Sequence, residues 1–276
     1  MAGGGSMPLQ LAQVLSEENR ELHILALVGE ASSKIENYQH SWIKWGQIGL
    51  LFKVLEQNDC KDVVIVGSVS RPDIRNMRFD FGAIKTLPFI LSLMSGGDDS
   101  ILSRIVHFFE NKGYAIRGVQ DVAPQFLVSS GVLTSKKPNR QDEKDIQMGL
   151  SVVQTLGALD VGQAAVVAKE YVLAVEAAEG TDAMLERAGD LRQWGRKNKK
   201  SGVLVKCPKP GQEQRIDMPT IGSHTVQMAA KAGLNGIAVA AGQVLIVDQD
   251  ELVTAAKEHN IFVIGYEQPE KIKNDR

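Results

Sequence analysis

The sequence predicts an α/β chain in two domains, the first built on a Rossmann-like parallel sheet, and three observations carry that prediction. Strand-length apolar runs alternate with helical periodicity: Leu22 to Val28, then Gly46 to Asn58, then Val63 to Val66. Alternation of this kind builds a parallel sheet whose helices cover both faces. A polar, basic stretch punctuated by glycine and proline, Gly131 to Glu143, divides the chain as a linker. Domains over 1–130 and 144–276 follow, and 276 residues are enough for two cores of ordinary size.

The elements are read in order. Met1 to Pro8 is a glycine-rich loop opening a helix over Leu9 to Glu18; it is not a full dinucleotide fingerprint. Such loops follow a strand, and no residues remain here to form one. Leu22 to Val28 is a strand. Gly46 to Asn58 is a helix with Ile48, Leu51, Phe52 and Leu55 on one face, and Val63 to Val66 is a second buried strand. Helices follow at Phe89 to Met94 and Ile101 to Phe109, then a short strand at Tyr114 to Gly118. Beyond the linker, a helix runs from Asp142 to Leu156 and closes at Gly157. Ala164 to Ala168 and Tyr171 to Val175 make a hairpin around Lys169-Glu170, and Thr181-Asp182 caps a helix reaching Trp194. A strand at Val203, a helix at Thr225 to Ala232, strands at Gly236 to Val239 and Val244 to Val247, a helix at Gln249 to His259 and a strand at Phe262 to Ile264 complete the second domain. The chain holds no internal repeat.

Composition narrows the function. With 31 basic and 33 acidic residues the formal charge is -2, which does not suit a general nucleic-acid binder. Cys60 and Cys207 are far apart, match no metal or redox spacing, and fit a reducing compartment. The sequence has no signal peptide and no apolar run of membrane-spanning length; Leu87 to Met94 is too short and contains Ser92. A cytoplasmic location is expected. The five histidines form no zinc pattern, and no nucleophile elbow or phosphate-loop lysine is present. Any hydrolysis then depends on carboxylates and oxygen-liganded Mg²⁺.

Four segments could carry chemistry. In Val203 to Gly222, an apolar strand ends at Lys206, a Cys-Pro-Lys-Pro-Gly turn follows, and Asp217 stands on a strand end or rigid turn. A carboxylate with Lys206, Lys209 and Arg215 close in sequence suits a divalent metal and a phosphorylated substrate, or equally a salt-bridged turn. Gly67 to Asp73 leaves the carboxyl end of a parallel strand, where Ser68, Ser70 and Arg71 are placed to hold phosphate or sugar hydroxyls. Gly96 to Asp99 precedes a helix, so one acid there caps it, and the pair also suits a metal or a ribose. Glu176 to Ala183 joins a strand to a helix through Gly180-Thr181-Asp182, which serve as caps or as an anion-binding helix start. Leu159 to Gln163 reads as a plain turn. The basic runs Lys136 to Arg140 and Arg196 to Lys200 are solvated loops or, on one face, a steering patch for anionic lipid headgroups.

Taken together, Ala2-Gly3-Gly4-Gly5, Gly67 to Asp73, Gly97-Asp98-Asp99, Leu159 to Gln163, Glu176 with Gly180 to Leu185, and Lys206 to Gly222 occur in an order that resembles a known family. The chain is similar to the UDP-2,3-diacylglucosamine pyrophosphohydrolases of the LpxI type, from lipid A biosynthesis, over nearly its whole length. The segments Glu179 to Leu185 and Arg215 to Gly222 carry the resemblance most specifically. It implies Mg²⁺-dependent cleavage to UMP and 2,3-diacylglucosamine 1-phosphate (lipid X), with water attacking the sugar-side phosphorus. It implies two α/β domains with the ligand between them and a homodimer; peripheral contact with the inner membrane is expected from the basic runs. The family's required aspartate falls on Asp217, as metal ligand or water-orienting group, with Glu176 and Asp182 as further catalytic candidates. The substrate-binding candidates are Gly4, Gly5, Ser6, Ser70, Arg71, Asp98, Gln163, Thr181, Lys206, Thr220 and Gly222. Leu87 to Met94 and Met218 are candidate walls for the acyl chains. Family members carry a strand before the Ala2 to Gly5 segment, and this chain departs from them there. Competing readings are a nucleotide-dependent oxidoreductase, from the glycine loop, and a non-catalytic sugar-nucleotide or lipid-binding regulator.

Overall fold

The computed structural model describes residues 1–70, 80–86, 89, 98–191 and 200–267, without the side chains at 84, 85, 98 and 99. Arg71, Gly97, most of the 87–94 segment and the 196–199 part of the second basic run lie outside these residues. The fold is mixed α/β in two compact units, one of 1–124 with 213–217, the other of 125–212 with 218 onward.

In the first unit, α1 (Met7–Glu17) starts with Pro8 in its first turn, where a missing N–H costs nothing, and buries Met7, Pro8, Leu11 and Ala12. Strand β1 (Ile24–Leu27) pairs in parallel with β2 (His40–Ile43), from Ile24 opposite His40 to Leu27 opposite Ile43. A 3₁₀ turn over Ser33–Asn37 lies between them. Helix α2 (Ile48–Gln57) buries Leu51, Val54 and Leu55 on its periodic face. Strand β3 (Asp62–Val64), α3 (Phe81–Lys85), α4 (Asp98–Glu110), β4 (Ala115–Arg117) and α5 (Val119–Val122) follow, and β3 and β4 are parallel. Successive residues of β1 face opposite sides, as a strand requires. Leu25 joins a core with Leu51, Val63, Val106, Phe109 and Ile116, whereas Ile24 and Ala26 join one with Ala2, Ala12 and Ile35.

The glycine loop does have a strand-like lead, contrary to expectation. Ala2 bridges Ala26 on one side and Val66 on the other, both in parallel, and links the two strand pairs. A cleft of about 1160 Å³ lies at the amino ends of β1 and β3, lined by Leu11, Leu15, Ile24, Leu55, Val63 and Val122 among others. Volume alone is a poor guide here, because the loops with candidate site residues leave the carboxyl ends of those strands.

The second unit opens with β5 (Gly131–Val132), then α6 (Arg140–Gly157), β6 (Ala164–Ala168), β7 (Tyr171–Val175), α7 (Gly180–Leu191), β8 (Val203–Lys206), β9 (Thr220–Ile221), α8 (Ser223–Lys231), β10 (Gly236–Ala240), β11 (Leu245–Ile246), α9 (Gln249–Glu258) and β12 (Phe262–Tyr266). Six strands form one sheet in the order β5-β12-β10-β8-β6-β7. Strands β8, β10 and β12 are parallel, and β6 runs antiparallel to β8 and to β7. Hence the carboxyl ends of β7, β8, β10 and β12 and the amino end of β6 share one edge. Strands β8 and β10 are buried throughout, as their unbroken apolar runs require. Gly149 lets α6 lie against the sheet, since a Cβ there would stand 2.4 Å from Val205 Cγ2.

The stretch 131–143 is folded and does not act as a linker. Val132 pairs with Ile264, Thr134 Oγ1 accepts from the Val263 amide at 3.0 Å, and Asn139 caps α6 through the Gln141 and Asp142 amides. Lys136 is half-buried, and its Nζ donates to the carbonyls of Asn235 (3.1 Å) and Asn260 (2.9 Å). Burial pushes its ammonium pKa below the usual lysine value. Among the described residues no helix is long and apolar enough to cross a membrane.

Candidate functional site

Site candidates fall in both units. In the first, Gly3, Gly4 and Gly67 allow two backbone segments to touch. The Gly4 amide donates to the Ser68 carbonyl at 2.7 Å, and the Ser68 amide returns to the Gly4 carbonyl at 3.1 Å. A Cβ on Gly3 would lie 2.4 Å from the Ser68 oxygen, so a glycine is needed for this approach. Gly5 has φ of 87° and turns the chain into α1. Gly5 and Ser6 are exposed, and the Ser6 hydroxyl accepts from Gln10 Nε2 rather than capping the helix. Ser70 is also exposed and donates both its amide (3.0 Å) and its hydroxyl (3.4 Å) to the Glu30 carboxylate. Asp98 begins α4.

Asp217 follows a turn in the 213–217 segment, and its amide donates to the Glu213 carbonyl at 3.0 Å. The carboxylate is half-buried. Arg215, read from sequence as a neighbouring cation, is held by acids. Its Nε and Nη2 donate to Glu213 at 2.8 and 2.6 Å, and its Nη1 donates to Glu110 at 2.7 Å. Those hydrogen bonds push the Arg215 pKa up and hold Glu213 below the usual carboxylate range.

In the second unit the sheet assembles Glu176, Thr181, Lys206, Gln163 and Thr220 into one cluster at its carboxyl edge. Lys206 ends β8 with 7% exposure, and Glu176 follows β7 with 6%. Lys206 Nζ donates to Thr181 Oγ1 and to the Thr220 carbonyl, each at 3.2 Å. The Thr181 hydroxyl donates to Glu176 Oε1 at 2.9 Å, and the Gln163 amide donates to Glu176 Oε2 at 3.3 Å. Charges buried this deeply persist only when paired and hydrogen-bonded. Gln212, also buried, donates from Nε2 to Gln163 Oε1 at 3.4 Å and accepts the Lys209 amide at 2.8 Å. Lys209 is salt-bridged to Asp160.

Asp182 and Gly222 stand outside this cluster of hydrogen bonds. Asp182 is exposed in the first turn of α7 and meets His224 Nε2 at 3.1 Å. The Gly222 amide donates to Thr225 Oγ1 at 3.3 Å before α8. Reading the sequence missed Gly162 and Gln212. A Cβ on Gly162 would stand 2.1 Å from the Glu176 carbonyl oxygen, so this glycine sets how closely the turn approaches the Glu176 backbone. Its one sequence signal was a glycine next to a site candidate. Among the described residues no three His, Cys, Asp or Glu side chains form a metal cage.

The second unit is thus an α/β domain whose mixed sheet carries a buried ammonium, Lys206, at the edge where the carboxyl ends of β7, β8, β10 and β12 lie. Comparison with known proteins covers nearly the whole chain. The LpxI N-terminal domain matches residues 1–126 and the LpxI C-terminal domain residues 129–264. The UDP-2,3-diacylglucosamine pyrophosphatase LpxI of Caulobacter vibrioides is 39% identical over 273 residues, covering 98% of each chain. The chain belongs to the LpxI family.

Proposed function

We propose that this protein hydrolyses the diphosphate bond of UDP-2,3-diacylglucosamine to UMP and 2,3-diacylglucosamine 1-phosphate in lipid A biosynthesis, with Mg²⁺. The observation that carries this reading is the end-to-end similarity to a protein named for that activity. The buried Lys206 cluster supports it, because cleaving a diphosphate asks the protein mainly for positioning and charge neutralisation. Mg²⁺ commonly takes one or two carboxylates plus phosphate oxygens and water, and the half-buried Asp217 offers one such carboxylate. Held there, Mg²⁺ would supply charge neutralisation at the phosphate oxygens. Asp217 holds it or orients the attacking water, Lys206 faces phosphate charge, and the Gly4 to Ser6 and Ser70 loops contact the nucleotide or sugar. The same reading carries a cytoplasmic homodimer that meets the inner membrane peripherally, where an acylated substrate resides.

Purified protein incubated with UDP-2,3-diacylglucosamine and Mg²⁺ is expected to release UMP. Asp217→Ala is expected to lower kcat by about 10³-fold while still binding substrate. Wild-type protein that releases no UMP overturns the activity, and Asp217→Ala turning over at the wild-type rate overturns the residue's role.

A further inference from the structure

Lys206, Thr181 and Glu176 form a hydrogen-bonded chain whose direction is fixed by chemistry. An ammonium group has donors and no lone pair, so Thr181 Oγ1 must accept from Lys206 at 3.2 Å. A hydroxyl has one proton, and Thr181 directs it at Glu176 Oε1, 2.9 Å away. The second Glu176 oxygen takes the Gln163 amide at 3.3 Å. Glu176 is thus an acceptor at both oxygens, and its backbone is packed against Gly162. Lys206 also donates to the Thr220 carbonyl, so the Lys206–Thr181–Glu176 chain joins the ends of β7 and β8, the start of α7 and β9. Thr181 is β-branched, which restricts χ1 and helps to aim its oxygen.

We propose that Thr181 is a positioning residue that aims the Lys206 ammonium for phosphoryl transfer, and that Glu176 anchors this chain and is not a general base. The proposal rests on reading the site as a diphosphate hydrolase.

Thr181→Val keeps the shape and removes the hydroxyl. It is expected to lower kcat by up to about 100-fold with little change in KM, the result of a misaimed group. Thr181→Ser is expected to restore most of the loss. Because Thr181 acts through Lys206, Thr181→Val added to Lys206→Met is expected to cost nothing beyond Lys206→Met alone. Losses that multiply, or Thr181→Val at the wild-type rate, overturn the proposal. Glu176→Gln keeps an acceptor for Thr181 and is expected to stay well above the roughly 10²–10⁴-fold loss that follows removal of a general base. A loss of that size would make Glu176 the base and overturn it. A measurement without turnover separates this idea from the activity itself. In ¹⁵N-lysine-labelled protein, the Lys206 Nζ resonance is expected to move in Thr181→Val and to hold in Thr181→Ser. An unmoved resonance in Thr181→Val overturns the proposal even if the wild type proves to act on a different substrate.

Discussion

The two units hold their candidate residues by different means. The second unit keeps charged groups inside: Lys206, Glu176, Asp142 and Asp145 are buried around one six-stranded sheet with a continuous apolar core. The first unit is two parallel strand pairs linked through Ala2, and it offers backbone and exposed hydroxyls at Gly4, Gly5, Ser6 and Ser70. A buried charge needs partners in fixed directions, and only a rigid, low-dielectric surround keeps them so. Backbone contacts need close approach instead, which glycine provides. The first unit relies on chain approach alone, whereas the second combines it, at Gly162, with the aiming of buried charge.

Gly162→Ala tests that contrast with the largest expected effect. The added Cβ meets a carbonyl oxygen at 2.1 Å, so the turn or the Glu176 backbone must move. Overpacking of this kind costs about 3 kcal/mol, and a shifted Glu176 disturbs Thr181 and Lys206 as well. A loss of about 100-fold in kcat/KM is expected, because displacing a positioned group by about 1 Å has that consequence. Urea denaturation and steady-state kinetics on one preparation check both numbers. Full activity in this variant would mean that the second unit does not rely on rigid aiming.

The first unit is held by polar pins, and Asp80 is the clearest. Its carboxylate accepts the amides of Gly49 (3.1 Å), Leu50 (3.0 Å) and Ala83 (2.8 Å), and so caps the starts of α2 and α3 together. Burial pushes its pKa up, but the backbone N–H groups outweigh that and hold it below the ordinary aspartate value. The folded value is therefore depressed. The stabilisation is complete above the ordinary aspartate pKa and is lost as pH falls through the folded value. Asp80→Ala is expected to cost about 1–2 kcal/mol at pH 7 and to remove that part of the acid sensitivity. Hydrogen exchange at β1 and β2, compared with β8 and β10, tells whether the loss stays in the first unit. An equal rise in β8 and β10 would mean that the two units unfold as one.

The sequence made most elements legible, because buried strands such as β1, β8 and β10 are unbroken apolar runs and the helices keep one periodic face. Strand β2 was missed: His40-Ser41-Trp42-Ile43 is half-exposed and shows no apolar run. The supposed linker was misread because what folds it is distant; Lys136 finds its partners at Asn235 and Asn260, far along the chain. Arg215 was read only as a cation near Asp217, with a salt-bridged turn left open; its partner Glu213 is two residues away, but its second partner, Glu110, is 105 residues away. At the site, Glu176 and Thr181 are five residues apart, and a strand-to-helix turn could be seen to join them. Lys206 joins them only because β6 sits between β7 and β8, a sheet order that no local pattern encodes.

The smallest expected effect belongs to the hairpin between β6 and β7, and it asks whether the second unit tolerates strain that its buried acids offset. Lys169 and Glu170 both have positive φ, 55° and 61°, a turn that favours Asn-Gly because side chains crowd the backbone there. Asp145, almost fully buried, holds the turn by accepting the Lys169 amide at 3.1 Å and the Glu170 amide at 2.6 Å. Replacing the pair, as Lys169→Asn with Glu170→Gly, keeps both amides and relieves the crowding. It also removes an exposed contact of Glu170 with Lys144, which contributes little. A gain of about 1 kcal/mol is expected from denaturant unfolding. In an Asp145→Ala background the same pair of substitutions is expected to gain more, because the turn has then lost the carboxylate that offsets its strain. Equal gains in the two backgrounds would show that Asp145 does not act on the turn.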